Sequence, residues 1–220
     1  MNWDMLEPIL IIIGIDIILG GDNAVVIALA SRNLPPKQRN KAVLMGTGLA
    51  IVSRVLLTMV ALYLLHIPYL RLIGGVLLIY IAIKLLIDNE DTASIKSGDS
   101  LFSAIKTIVF ADIVMGFDNV LAIAGASHGN ITLVIFGLLI SVPIIIWGSR
   151  IILKLMERFS ILVYIGAGIL AFTAGEMILE DPHVSELFYH VNPMLTLFPL
   201  MMVLVTISIG YFYNRQAIEK

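Results

Sequence analysis

Asp16-Ile-Ile-Leu-Gly-Gly-Asp22-Asn23 is written a second time near the middle of the chain, as Asp112-Ile-Val-Met-Gly-Phe-Asp118-Asn119. At an offset of 96 (residue 16 onto residue 112) the copies share Asp16/Asp112, Gly20/Gly116, Asp22/Asp118 and Asn23/Asn119. They also share Ile27/Ile123, Ala28/Ala124, Ala30/Ala126 and Ser31/Ser127 further on. Both copies lie in long apolar runs, where one Asp at the bilayer centre costs roughly 2.5–3.5 kcal/mol on insertion. Four exposed to lipid would cost on the order of 10–14 kcal/mol. Carboxylates placed twice at matching positions are expected to face one another or a bound ion.

The composition sets the class. Of 220 residues 59% are hydrophobic and 14% charged, and the mean hydropathy is +0.99. Soluble domains are about 45–50% apolar and 25% charged, so the chain reads as an all-α polytopic membrane protein. With no cysteine, disulfides, thiolate metal sites and thiol redox chemistry are excluded. Nothing points to nucleic acid or an organic cofactor. The N-terminal stretch lacks the basic n-region of a signal peptide, so the first apolar run is expected to remain as a span.

A span needs about 20 apolar residues. Runs of that kind cover 8–31, 42–65, 68–87, 101–127, 131–153, 160–179 and 194–213, which predicts seven transmembrane helices. Pro8 suits the first turn of the first. The segment Arg32 to Lys41 reads as a basic loop, and polar connections run over 89–100 and from Glu180 to Pro193. Basic residues in short loops and at span ends favour the cytoplasmic side. With the N-terminus outside, Arg32, Lys37, Arg39, Lys41, Lys96, Lys106, Lys154, Arg158, Arg215 and Lys220 all fall inside, and Arg71 stays outside. The expected orientation is therefore N-out, C-in.

The repeat extends past the motif. Ser53-Arg54 matches Ser149-Arg150 at the same offset, and Ile73-Gly74 matches Ile165-Gly166 at 92 (residue 73 onto residue 165). Repeat one (8–88) and repeat two (101–181) each hold three spans within one membrane domain, 1–220. An odd number of spans turns the second copy upside down, the plan of secondary transporters with a midplane site. The helix at 194–213 has no counterpart. Inversion puts Asp16 with Asp118 in an outer tier and Asp22 with Asp112 in an inner one. Six residues of straight helix rise about 9 Å and rotate about 240°, so all four carboxylates share a site only where the helices break. Gly20, Gly21 and Gly116 mark that break, since glycine tolerates unwound backbone.

The donors limit the ion. Asp16, Asp22, Asp112 and Asp118, with the amide oxygens of Asn23 and Asn119, are hard ligands, which suit Mn²⁺, Ca²⁺ or Mg²⁺ rather than Zn²⁺ or copper. One dication does not balance four carboxylates, so protons, a second ion or Arg54 must contribute. Arg54, Arg150 and Glu176 are the candidates for counter-charge or ion path; Arg150, like Lys84, also suits snorkelling to the interface. His66, His128, His183 and His190 fall outside near Glu180, Asp181 and Glu186, and read as solvated loop residues more readily than as a release vestibule.

The segments Gly20-Gly21-Asp22-Asn23-Ala24 and Gly116-Phe117-Asp118-Asn119-Val120, each with an Asp six residues before its own, resemble the TerC family of bacterial membrane proteins. The likeness covers nearly the whole chain, whose length resembles the short stand-alone members. It implies manganese efflux across the bacterial cell membrane, a seven-span fold of two inverted three-helix repeats, and the motif aspartates as metal ligands. The family's name derives from tellurium resistance, so the alternative is a metal-binding scaffold or sensor in metal or tellurite stress without transport. An intramembrane aspartyl enzyme is the third class; motifs matched by inversion suit transport better than unequal acid and base roles, and no enzymatic activity is expected. Phe117 departs from the pattern where the first copy has Gly21, so the two breaks are not expected to be equivalent.

Overall fold

The computed structural model describes residues 3–64, 67–87, 97–127, 130–188 and 192–218. Among them there are helices and no strands: α1 (Trp3–Leu19), α2 (Gly21–Ser31), α3 (Pro36–Leu64), α4 (Leu70–Ile87), α5 (Ser97–Ala126), α6 (Ile131–Arg158), α7 (Ile161–Leu179), α8 (Pro182–Phe188) and α9 (Asn192–Ile218). Within these residues, five helices are long and apolar enough to cross a membrane unaided, in α3, α4, α6, α7 and α9. Two bent pairs bring the number to seven when each is one span: Glu7–Leu19 with Gly21–Ser31, bent by 52°, and Leu101–Gly116 with Asn119–Ala126, bent by 62°. The chain is an all-α integral membrane protein. Ile18, Trp147 and Leu204 are among the large apolar side chains left exposed, as lipid-facing surfaces require.

Several boundaries differ from expectation. Pro36 opens α3, at the first helical position where its missing N–H costs nothing. Lys37, Arg39 and Lys41 therefore lie on the first turns of α3 instead of a loop, and the Arg39 guanidinium donates to the Arg32 carbonyl at 2.9 Å. Pro8 sits inside α1 instead of opening it. Ser97 to Ser100, taken as the end of the polar connection, begin α5; the rest of that connection, to Lys96, lies outside the described residues. The connection from Glu180 to Pro193 contains the short helix α8.

The packing falls into two compact units, Met1–His66 with Lys96–Lys154 and Ile67–Ile95 with Leu155–Lys220. In the first, α3 packs along α5, and the bent pair α1–α2 packs on α5. Its interior includes Ile12, Ile123, Val134 and Leu138 in one cluster and Ile27, Val43 and Ile108 in another. In the second, α7 packs against both α4 and α9, and α4 and α9 also touch each other. Small residues allow that approach: a Cβ at Gly75 would stand 2.6 Å from the Ala174 carbonyl oxygen, and one at Gly175 2.6 Å from Pro199 Cα. In lipid, helix association depends on such close contact because tails are as apolar as side chains.

One end of the second unit is tied polar to polar. Asp181, 1% exposed, accepts from the Leu72 amide at 3.2 Å and the His183 amide at 3.1 Å, near the starts of α4 and α8. A carboxylate suits the orphan N–H groups of helix N-termini. Tyr69, the one non-glycine residue with positive φ (59°) among those described, stacks its ring 4.3 Å from that of His183. Arg71 donates to the Glu180 carbonyl at 3.0 Å. His183 is thus engaged with Tyr69 and Asp181; His66, His128 and His190 lie outside the described residues, as does the side chain of Glu186.

Candidate metal centre

The break in the first copy comes at Gly20. Its amide donates to the Asp16 carbonyl at 2.9 Å, closing α1, and its carbonyl accepts from the Asn23 amide at 3.1 Å, starting α2. A Cβ there would lie 2.3 Å from the Asp16 carbonyl oxygen and 3.2 Å from Asn23 Nδ2, whereas at Gly21 it would meet nothing within 4 Å. Gly20 is thus required by space, and Gly21 is not. The second copy, with Phe117 at the position of Gly21, bends between Gly116 and Asn119 without leaving the helix.

Just before the break, α1 carries Asp16, 1% exposed. Arg54 of α3 bridges two carboxylates: Nη1 donates to Asp16 Oδ1 and Nη2 to Asp112 Oδ1 of α5. The Ser141 hydroxyl of α6 donates to the other oxygen of Asp16. Beside this group is a cavity of about 30 Å³ whose polar lining is Asp16, Asn23, Thr47, Arg54 and Asp112. A water needs roughly 10–15 Å³ on this measure, so there is room for one or two waters or a small cation. Thr47, Ala50, Ile51 and Arg54 reach it from one stripe of α3, and Leu138, Val142 and Ile145 from one stripe of α6, as helical periodicity dictates.

The two asparagines are used differently. Asn119, 3% exposed, donates from Nδ2 to the Leu19 carbonyl at 3.3 Å, so the second copy's amide satisfies the helix end that the first copy's break leaves open. Asn23, 4% exposed, has neither amide atom hydrogen-bonded and lines the cavity. The Thr47 hydroxyl is likewise buried without a partner. Buried polar atoms of this kind are rare, and both side chains line the cavity that Asp16 and Asp112 share.

Of the four aspartates, Asp16 and Asp112 come together. Arg54 thus joins residues assigned to different tiers, because its fork presents separate nitrogens to separate carboxylates. Asp22 sits in the first turn of α2, half-buried and outside the cavity lining. The side chain of Asp118 lies outside the described residues. Arg150 is exposed on α6, and Glu176 is exposed on α7 in the second unit; neither lines the cavity. Among the described residues no three or more His, Cys, Asp or Glu side chains converge as a ready metal cluster. The oxygen donors around the cavity are two carboxylates, an amide and a hydroxyl, a hard set suited to Mn²⁺, Ca²⁺ or Mg²⁺. Thr47 and Ser141 went unmarked in the sequence, though Thr47 lies two turns from Arg54 and Ser141 interrupts an apolar run.

The sequence profile of the integral membrane protein TerC family matches residues 1–217. The chain belongs to that family. It is 50% identical over 220 residues to YjbE of Bacillus subtilis (strain 168), described as an uncharacterized membrane protein, with the whole of both chains covered. YkoY of the same organism, another uncharacterized membrane protein, is 25% identical over 210 residues, covering 83% of this chain and 64% of YkoY. The inner membrane protein YoaE of Escherichia coli (strain K12) is 23% identical over 200 residues, which are 82% of this chain and 38% of YoaE. The chain therefore spans the whole of YjbE but well under half of YoaE. No solved structure matches it.

Proposed function

We propose that this TerC-family protein is a transporter for a divalent metal cation, with manganese efflux from a bacterial cell as its activity. The observation that carries this is the meeting of Asp16 and Asp112, equivalent members of two sequence repeats, at one cavity inside a membrane-embedded unit. An ionised carboxylate at that depth is expensive and is kept where it handles charge. Two interrupted or bent helices at matching motif positions add support, because broken helices flank ion sites in inverted-repeat transporters. The unpartnered Asn23 and Thr47 oxygens would complete a hard-donor set with Asp16 and Asp112, while Asp22, Asp118 and Asn119 stand close in sequence to join it. Seven spans, N-out and C-in, belong to this proposal, as do protons as the counter-ion.

The test is Mn²⁺ flux into proteoliposomes holding the purified full chain. Flux lost in Asp112→Asn supports transport through this site. Tight binding with no flux in wild type makes the protein a metal-holding scaffold or sensor, and absence of both removes the metal proposal.

A further inference from the structure

The two carboxylates that the repeat brings to the cavity already hold a cation, and it belongs to the chain. Arg54 is 4% exposed, pairs with Asp16 through one terminal nitrogen and with Asp112 through the other, and lines the cavity with them. Its Nε is buried with no hydrogen-bond partner. A guanidinium with an unsatisfied donor in the interior is held by its two ion pairs and not by a completed network. Two negative charges and one positive leave the group one negative overall. A dication reaching the same oxygens would meet the guanidinium at contact range in a poorly screened interior. The two cations cannot both hold both carboxylates.

We propose that Arg54 is a tethered competitor of the cargo: it occupies Asp16 and Asp112 when no ion is bound and yields at least one of them when a divalent cation enters. This rests on the metal-transport proposal and adds a selectivity rule to it. A monovalent ion brings no more charge than the guanidinium and lacks its fork of hydrogen bonds to two carboxylates, so Na⁺ and K⁺ fail to displace it. A dication brings twice the charge and succeeds. Gly116 borders the guanidinium without a side chain of its own, an added Cβ there standing in van der Waals contact at 3.6 Å from Arg54 Nε and 3.8 Å from Nη2, and the cavity that Arg54 lines gives the displaced head its room. Only one repeat supplies the competitor, since Arg150, the counterpart of Arg54, is exposed and Arg54 is the one basic side chain among the described residues lining the cavity.

The experiment is Mn²⁺ titration of the purified full chain in detergent, with free Mn²⁺ read by electron paramagnetic resonance. Arg54→Gln is expected to bind Mn²⁺ at least tenfold more tightly than wild type. Replacing N-methylglucamine by Na⁺ at equal ionic strength should weaken Mn²⁺ binding in that variant and leave wild type unchanged. Arg54→Lys, which keeps a charge but loses the fork, should fall between. A folded Arg54→Gln that binds Mn²⁺ no better than wild type overturns the competition, while weakened binding in Asp16→Asn and Asp112→Asn would leave the metal site standing. If those two Asp variants bind like wild type, the site itself is elsewhere and both proposals fall. Should Arg54→Gln not fold, Arg54→Lys decides, and no gain over wild type overturns the competition.

Discussion

A carboxylate buried in a membrane helix needs partners, and Asp16 has Arg54 on one oxygen and the Ser141 hydroxyl on the other. Asp112 shares the same guanidinium. Asp16→Asn and Asp112→Asn each remove one of the two carboxylate charges at the cavity, so each should weaken Mn²⁺ binding by at least tenfold. Arg150→Gln, on an exposed side chain, should leave the affinity unchanged; the same titration checks all three. Thr47 separates binding from folding. Its hydroxyl is buried without a partner, so Thr47→Val should stabilise the metal-free protein by about 1 kcal/mol while lowering Mn²⁺ affinity several-fold. Thermal unfolding with and without Mn²⁺ reads both effects, and a variant less stable without metal would mean the hydroxyl has a structural partner. Asp16 and Asp112 were legible because duplication marks whatever both halves carry. Thr47 and Ser141 were not, because their counterparts at the same offset are Pro143 and Met45, and a polar residue present in one copy leaves no such mark.

The helices divide along the same line. A broken first span was legible from Gly20-Gly21 inside an apolar run, but the pair hid an inequality that only local geometry exposes. Gly20 is enclosed by the Asp16 carbonyl and the Asn23 amide, and Gly21 faces open space. Gly20→Ala should therefore cost about 1–3 kcal/mol by overpacking and disturb Mn²⁺ binding through Asp16 and Asn23. Gly21→Ala should be neutral or slightly stabilising, since alanine is the better helix former. Thermal midpoints of the two variants in one detergent decide it, and equal losses would count against the steric account. The start of α3 departs from the hydropathy pattern for a physical reason: Lys37, Arg39 and Lys41 look like a loop to hydropathy, yet a helix end protruding from the apolar layer carries charge without penalty.

At the scale of the molecule, the proposed transport predicts that metal and protons would compete for the same carboxylate oxygens, and that this competition would couple their movements. Groups that interact so closely titrate as a set, with no single residue owning the proton. With voltage clamped, an imposed pH gradient should accelerate Mn²⁺ flux in proteoliposomes, and Mn²⁺ entry should drive protons the other way. Flux indifferent to the gradient, without proton movement, would favour another coupling ion or none. The all-helical membrane class was evident because the apolar residues come in continuous runs of about 20, the length a spanning helix needs, with little charge between them. The grouping of helices into units was not, since hydropathy marks which segments enter the bilayer and is blind to which neighbours they choose there.

That grouping bears on how the protein is made. Each unit draws on both halves of the chain: the first needs α1 to α3 and then α5 and α6, and the second needs α4 and then α7 to α9. Synthesis runs from the N-terminus, so α4 enters the bilayer long before α7, against whose Ala174 its Gly75 packs, has left the ribosome. The Leu19 carbonyl likewise waits for Asn119. Neither unit is complete when the first repeat is, and early helices must stand in the membrane as unfinished surfaces until late ones arrive. Two half-length polypeptides made separately should therefore mature only when they are produced together in the same membrane.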